Sequence, residues 1–270
     1  MPDSGQQNFS QRAGGQEPTT LVQQRFGATA QAYATSSVHA SGPDLQWLVE
    51  AAALTGQECV VDLATGAGHT AFALAPYARE VIAIDITEPM LATARQLADE
   101  RHLTNIRFLK GDATALPLPD ASVECVACRY AAHHFSPIAQ AVKEWQRVLK
   151  TGGKLLLSDT IAPEEPEIDV FVNKIELLRD SSHIRNLRLS EWLLLLKENG
   201  FAVNIQRRWE ITMDMQSWTQ RMKTPPEHVA QLKRMFNEAP AKIKERFHIE
   251  PFDDNFSFSL PVALLLAIKQ

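Results

Sequence analysis

The chain has 270 residues, of which 45% are hydrophobic, and it is long enough to bury one substantial core together with a cap. Its 27 basic and 32 acidic residues give a net charge of -5 without a basic block, so binding of nucleic acid through phosphates is not expected. The longest apolar run near the C-terminus, residues 261–268, is far shorter than the roughly twenty residues of a membrane-spanning helix.

The first segment, residues 1–20, is rich in Gln, Gly and Ser and contains no apolar stretch typical of a secretory signal. We therefore expect a disordered tail and a cytoplasmic protein. The sequence carries no signal that sets an oligomeric state.

The most informative segment lies at residues 60–70, where an apolar strand ends in Asp62 and leads into a glycine turn that opens a helix. Gly66 and Gly68 lack a Cβ, so the chain can turn tightly and a ligand can approach the backbone closely. Such a turn is typical of a site for a nucleotide-like cofactor.

Two more carboxylates follow the next two predicted strands, Asp85 after residues 81–84 and Asp112 after residues 106–111. Three successive strands thus bring an acid to the edge where open α/β sheets bind ligands. Asp85 lies 19 positions after Gly66, a spacing typical of an acid that accepts hydrogen bonds from a ribose diol. Asp112 can accept from an exocyclic amine such as that of adenine, so the pattern predicts an adenosine derivative.

The same turn also satisfies a relaxed dinucleotide pattern, Gly66-x-Gly68-x-x-Ala71, which keeps a nicotinamide-dependent oxidoreductase as an alternative. A pyrophosphate beside Asp62 would be repelled, whereas a cationic ligand with an ammonium and a sulfonium would be attracted.

Short apolar strands alternate with helical stretches such as residues 88–102 and 136–150, which predicts a doubly wound α/β fold with a parallel sheet. The predicted strands are residues 59–63, 81–85, 106–109, 123–128 and 154–158. Cys125 and Cys128 fall in the fourth of these with the spacing of metal or redox sites. Because strand residues three apart face opposite sides, no metal site is predicted.

Beyond residue 160 the pattern changes to helical insertions and extended segments. A helix over residues 190–199 is predicted to be capped by Ser190 and ended by Gly200. Extended segments follow at residues 202–213 and 256–269. We expect seven strands, the last antiparallel, beneath a cap formed by residues 21–45, 162–189 and 215–250.

These residues resemble those of class I S-adenosylmethionine-dependent methyltransferases, in particular the small-molecule branch that includes ubiquinone/menaquinone-type methyltransferases. The resemblance covers roughly residues 26–201 and is carried by Val60 to Gly68, Ile84-Asp85, Gly111-Asp112-Ala113, Leu116-Pro117, His133-His134-Phe135 and residues 147–153. Ala64 stands where the family usually has the first glycine of its loop, and we expect the loop to survive with slightly less room. The Met-Asn and His-Arg-x-Trp elements of the quinone C-methyltransferases are absent from residues 26–47.

The resemblance implies a Rossmann-like fold with amino-terminal lid helices over residues 21–45 and a methyltransferase domain over residues 46–270. It implies S-adenosylmethionine as cofactor, a small-molecule methyl acceptor and release of S-adenosylhomocysteine. The residues it implies for cofactor binding are Tyr33, Asp62, Ala64, Gly66, Gly68, Asp85, Ile86, Asp112, Ala113 and Arg129. Tyr33 corresponds to a lid tyrosine that closes over the methionine end of the cofactor, with simple helix packing as the alternative.

His133 and His134 are the candidate catalytic residues, since they follow the fourth strand near the expected methyl group and a histidine can take a proton near neutral pH. The alternative is that one of them only satisfies a backbone carbonyl. A base is required only if the attacking atom carries a proton.

The polar cluster at residues 181–186 supplies the candidate substrate-binding residues His183, Arg185 and Asn186. Arg185 could clamp an anionic group of the acceptor, or it could instead form an ion pair with Asp180 or Glu176. Besides the oxidoreductase, a protein that binds S-adenosylmethionine without transferring its methyl group, such as a cyclase, remains an alternative.

Overall fold

The computed structural model of the protein describes residues 18–27, 40 and 42–270. The lid residue Tyr33 and residues 1–17 of the expected tail lie outside this part of the chain. The first described helix, α1 (Pro18–Gly27), begins inside the segment 1–20, so the last three residues of the predicted tail are helical instead.

The strands of the described residues form one sheet in the order β3-β2-β1-β4-β5-β8-β6, with β7 paired to β8 outside this path. Their bounds are β1 (Cys59–Leu63), β2 (Glu80–Asp85), β3 (Ile106–Lys110), β4 (Val123–Arg129), β5 (Leu149–Thr160), β6 (Phe201–Asp214), β7 (Glu250–Phe252) and β8 (Asn255–Lys269). β1 to β5 pair in parallel, whereas β8 lies antiparallel between β5 and β6. The predicted doubly wound, mostly parallel sheet is confirmed, and β7 adds a short eighth strand.

Helices cover both faces of this sheet. After α1 come α2 (Pro43–Ala52), α3 (His69–Leu74), α4 (Glu88–Glu100), α5 (Ile138–Val148), α6 (Pro166–Arg179), α7 (Leu189–Glu198), α8 (Met215–Arg221), α9 (Pro226–Glu238) and α10 (Ala241–Arg246). A 3₁₀ turn, Ala132–His134, precedes α5. Several helices begin at a proline, which has no N–H to leave unpaired in the first turn. None of the helices described is both long and apolar enough to cross a membrane.

The two faces of the sheet pack against separate apolar clusters. Val61 and Cys128 belong to the cluster that contains Trp145 of α5, whereas Val60 and Cys125 belong to the cluster on the opposite face. The two cysteine side chains therefore point to opposite sides of the sheet. Burial raises the pKa of both thiols.

A third apolar cluster packs the helices of the two insertions, α6 and α8 to α10, against the N-terminal part of β8. Trp218 and Phe258 meet edge to face with ring centroids 4.9 Å apart, and Phe236 contacts Phe258 in the same way at 5.0 Å. Arg25 of α1 donates to the backbone oxygen of Met222 at 2.8 Å, which ties α1 to this cap.

The helix predicted over residues 190–199 is capped by a different residue from the one expected. Ser190 lies inside α7 and its Oγ donates to Glu164 at 2.6 Å, while Arg188 occupies the capping position. The backbone N–H of Arg188 donates to Glu191 at 2.9 Å, so the acid in the first turn holds the helix start. Gly200 follows the helix with a φ of 80°, as expected for a glycine that ends it.

The direction of winding reverses between β1 and β4. β2 and β3 continue from β1 towards one edge of the sheet, while β5 continues from β4 towards the other. The carboxyl ends of β1 and β4 therefore flank the switch point, where open α/β sheets bind their ligands.

Candidate active site

A cavity opens at this switch point and has a volume of about 1120 Å³ including its mouth. Eight of the predicted site residues line it: Ala64, Gly66, Asp85, Ile86, Asp112, Ala113, Arg129 and His134. Thr19, Val22 and Phe26 of α1 form the opposite wall. The predicted site residues that do not line the cavity are Asp62, Gly68, His133, His183, Arg185 and Asn186.

The turn after β1 is built from three residues with positive φ: Ala64 at 49°, Gly66 at 55° and Gly68 at 91°. A Cβ on Gly66 would have only the Ala64 carbonyl oxygen near it, at 4.0 Å, so this glycine leaves open space. A Cβ on Gly68 would lie 2.4 Å from Cζ of Phe72, so any side chain there would displace Phe72 from its position. Gly66 thus gives a ligand access to the backbone, and Gly68 lets α3 pack behind the turn.

Ala64 adopts a left-handed conformation that disfavours residues with a Cβ by about 1–2 kcal/mol. We predict that Ala64→Gly raises the free energy of unfolding by up to about 1 kcal/mol, since the gain is partly offset by the entropy of glycine in the unfolded chain. Urea denaturation checks this, with Ala64→Val as the control at the same position. The valine variant is expected to be less stable than wild type, and equal stability of all three proteins would contradict the strain.

Asp62 is turned into the loop instead of the cavity. Its Oδ2 accepts from Thr65 Oγ1 at 2.5 Å and from the backbone N–H of Ala71 at 3.0 Å. Burial raises its pKa to about 7, against the opposing effect of these two hydrogen bonds. Asp62 does not line the cavity, and its carboxyl group holds the turn against the start of α3.

Asp85 lies at the end of β2 and faces the cavity, where it is 7% exposed. Its Oδ2 accepts from the backbone N–H of Gly66 at 2.9 Å and its Oδ1 from that of Thr87 at 2.8 Å. Burial raises its pKa, although these hydrogen bonds act in the opposite direction. Each oxygen retains a lone pair for a further donor.

Asp112 follows β3 at the other end of the cavity. Its Oδ1 accepts from both the backbone N–H and the Oγ1 of Thr114, each at 2.8 Å. Its Oδ2 has no hydrogen-bond partner among the residues described. Gly111 precedes it where a Cβ would lie 2.9 Å from Pro117, so the chain approaches Pro117 without a side chain.

Arg129 at the end of β4 lines the cavity, and its positive charge is compensated by an ion pair with Asp44. Its Nε donates to Oδ2 of Asp44 at 2.6 Å, and its guanidinium lies 4.7 Å from the ring centroid of Tyr130. Asp44 stands in the first turn of α2 and is 3% exposed. Sequence reasoning missed Asp44, because an acid after Pro43 reads as an ordinary helix start.

The two candidate catalytic histidines differ in their surroundings. His134 lines the cavity and meets the ring of Phe26 edge to face at 5.0 Å. His133 lies behind it, with Nδ1 2.7 Å from Oδ1 of Asp159 and its backbone N–H donating to Oδ2 at 3.1 Å.

The pKa values of the two rings move in opposite directions. Burial opposes protonation of His133, but the charge and hydrogen bond of Asp159, together with Glu176 and Asp180, raise its pKa. Burial and then repulsion by His133 lower the pKa of His134 well below its usual range. His134 is therefore uncharged at neutral pH, whereas the acids around His133 favour a proton on its ring.

The polar cluster at residues 181–186 packs behind the histidines and not into the cavity. Backbone N–H groups of Ile184 and Arg185 donate to the His133 carbonyl at 2.9 and 3.1 Å. His183 Nε2 contacts Asn173 Oδ1 at 3.1 Å, and Asn186 Oδ1 accepts from Thr160 Oγ1 at 2.7 Å.

Arg185 forms ion pairs with Asp169 at 2.8 Å and Glu191 at 3.1 Å. Arg185 does not line the cavity, and its ion-pair partners differ from the expected Asp180 and Glu176. All three predicted substrate-binding residues therefore support the loop that carries Asp180 and Ser182, which contact His134 and were not singled out as site residues from the sequence.

Known proteins are similar to this chain in sequence and in fold. Residues 61–157 match the methyltransferase domain family. The chain is 38% identical over 247 residues to YcgJ, an uncharacterised methyltransferase of Bacillus subtilis, covering 91% of this chain and 98% of the relative. The crystal structure of YcgJ superimposes with a TM-score of 0.82, covering 84% of this chain and 97% of that one. The chain belongs to the class I S-adenosylmethionine-dependent methyltransferases.

Within this family, the similarity to quinone-modifying enzymes is partial. The chain is 39% identical over 128 residues to the demethylmenaquinone methyltransferase of Thermus thermophilus, covering 45% of this chain and 57% of that enzyme. The match thus leaves out more than half of the present chain.

Proposed function

We propose that the cavity binds S-adenosylmethionine and that the methyltransferase transfers its methyl group to a small-molecule acceptor, releasing S-adenosylhomocysteine. One observation carries this proposal: Asp85, Asp112 and Gly66 share one continuous cavity with His134. A site for the nucleoside thus adjoins a side chain that can handle a proton.

The lining residues fit an adenosyl group. Asp85 keeps lone pairs for a ribose diol, and Asp112 Oδ2 is available for the exocyclic amine of adenine. The open space at Gly66 allows a ligand to approach the turn closely. When bound, the cofactor supplies an electrophilic methyl group on a positively charged sulfur.

The charge around the cavity supports a cationic ligand over a pyrophosphate. Asp85 and Asp112 line it, and the positive charge of Arg129 is compensated by Asp44. Two phosphate charges would face these carboxylates without a free cation among the described lining residues, which disfavours the nicotinamide alternative.

The chain's own contribution is alignment, exclusion of water and proton handling. α1 covers the cavity, and Gln23 Nε2 donates to the Ile86 carbonyl at 3.2 Å to hold it there. We assign His134 the catalytic position and His133 the position behind it. Tyr33 stays a proposed lid residue on the resemblance alone.

Calorimetric titration of the purified protein with S-adenosylmethionine, S-adenosylhomocysteine and NADH tests the proposed cofactor. We predict binding of the first two and none of NADH. Tight NADH binding without S-adenosylhomocysteine binding would refute the proposal. Detection of S-adenosylhomocysteine formed with a panel of small acceptors then separates a methyltransferase from a protein that only binds the cofactor.

A further inference from the structure

A buried cluster of histidines and acids lies directly behind the cavity wall formed by His134. The ring centroid of His133 lies 4.2 Å from that of His134, and His183 lies 5.6 Å from His133. The charged or titratable groups that act on His134 are His133 on its own turn, Asp159 on β5 and Asp180 on the loop after α6, and the ring of His183 lies 6.4 Å away. Glu176 on α6 acts in turn on His133, and Arg179 on α6 and Arg25 on α1 act on Asp180.

The hydrogen bonds of Ser182 determine which nitrogen of His134 carries the proton. Nδ1 lies 3.1 Å from the Ser182 carbonyl oxygen, which can only accept. Ser182 Oγ lies 3.3 Å from the same nitrogen and gives its own proton to Asp180 Oδ1 at 2.7 Å. Nδ1 must therefore be the donor, so neutral His134 carries its lone pair on Nε2.

Asp180 places a negative charge near Nε2 of His134. Its Oδ1 accepts from the backbone N–H and the Oγ of Ser182 and lies 3.7 Å from Nε of Arg25. Its Oδ2 is buried without a hydrogen-bond partner among the described residues and lies 4.0 Å from Nε2 of His134. The negative charge of this carboxylate therefore favours a proton on Nε2.

The cavity wall beside His134 is unsuited to an anionic acceptor. Val22, Phe26 and Phe135 give it an apolar surface. Among the described lining residues, Arg129 is paired with Asp44, and Arg185 is held outside the cavity by Asp169 and Glu191. A carboxylate or phosphate on the acceptor would be buried without a counter-charge.

We propose that His134 is the base for an uncharged acceptor bearing a hydroxyl group, and that Asp180 is its positioning residue. This inference rests on the proposed function and adds the class of acceptor. The hydroxyl proton passes to His134 Nε2 while the acceptor oxygen forms the new C–O bond. The methyl C–S bond breaks with its electron pair on sulfur, so the sulfonium charge is lost as the imidazolium forms beside Asp180.

Histidine NMR tests the His134–Asp180 pair without any acceptor. The protein is labelled with ¹⁵N and ¹³C at histidine, and the signals of His134 are assigned as those missing from the spectrum of His134→Gln. We expect neutral His134 with the proton on Nδ1 at pH 7. An Nε2–H tautomer or a charged ring at that pH would overturn the proposal, even if no Asp180 variant folds.

Two charge variants give opposite expected shifts. Asp180→Asn removes a negative charge near Nε2 and should lower the pKa of His134 further. His133→Gln removes the neighbouring ring that disfavours a proton on His134, and should therefore raise the pKa of His134. If Asp180 had a purely structural role, the two variants would not shift the pKa of His134 in opposite directions. Shifts of this pKa in the same direction in both folded variants would overturn the role of Asp180 as a positioning residue.

The acceptor class is tested with matched probes on protein saturated with S-adenosylhomocysteine. We compare 2-naphthol with 6-hydroxy-2-naphthoate, which keeps the ring and hydroxyl but adds a carboxylate. The neutral compound should bind about tenfold tighter or more, because the lining residues that the structure describes offer no free counter-charge. Equal or tighter binding of the carboxylate, or binding of neither, would overturn the acceptor class. Failure of the protein to bind S-adenosylhomocysteine would instead overturn the proposed function.

Discussion

Replacing Asp85 with alanine is expected to weaken binding of S-adenosylmethionine by roughly ten- to a hundredfold. The variant leaves two ribose hydroxyls without the carboxylate that would accept from them, and hydrogen bonds to a charged group contribute about 1.5–3 kcal/mol. Calorimetric titration measures the change. Asp120→Ala is the matched control, since this acid is exposed outside the cavity and pairs with Arg147.

Asp85 also holds the glycine turn, so the loss of affinity must be separated from a loss of structure. Alanine leaves the backbone N–H groups of Gly66 and Thr87 without their side-chain acceptor. Asp85→Asn keeps one carbonyl oxygen for these donors and should fall between wild type and alanine in affinity. Circular dichroism and thermal melting establish folding, and an unchanged affinity in folded Asp85→Ala would contradict the assignment of the ribose acid.

The fold could be predicted from the sequence because its signals are local. The parallel strands contain short, largely apolar runs, and the crossover predicted over residues 136–150 lies between a proline at its start and a pair of glycines after its end. The short strand β7 was missed because Glu250–Phe252 has no alternating pattern and owes its structure to pairing with β8.

The residues that line the cavity could be predicted only where the position of a residue along its strand determines the direction of its side chain. Asp85 and Asp112 line the cavity, but Asp62 does not, and in the register of the sheet it lies beside Ala83, two residues before Asp85. The donors that capture Asp62, Thr65 Oγ1 and the Ala71 N–H, come from the turn and α3. The spacing of acids contains no information about such competing donors.

Long-range partners account for the remaining differences. Asp44 pairs with Arg129 across 85 positions of the chain, and Asp180 and Ser182 meet His134 across about 46 to 48. Arg185 finds Asp169 on α6 and Glu191 on α7 because the insertion folds back on both helices. A sequence pattern shows that such charges exist but does not show which of them meet.

Asp62→Asn is expected to remove a pH dependence of stability that amounts to a few kcal/mol. Burial raises the pKa of Asp62 in the folded protein to about 7, from an unfolded value of 3.8. Between these two pH values the folded state keeps a proton that the unfolded state has lost. The free energy of unfolding of the wild type therefore falls as the pH rises from about 4 to about 7, by an amount on the order of 4 kcal/mol.

The asparagine variant keeps the structural contacts of Asp62 while losing its charge. Both donors reach the same oxygen, Oδ2, so an amide oxygen placed there can accept from Thr65 and Ala71 alike. The other titrating groups are common to both proteins, so the difference between their unfolding free energies isolates Asp62. Urea denaturation at pH 5, 6, 7 and 8 should show the variant gaining stability relative to wild type up to about pH 7 and no further. A constant difference across that range would mean that Asp62 ionises in the folded protein as it does in the unfolded chain.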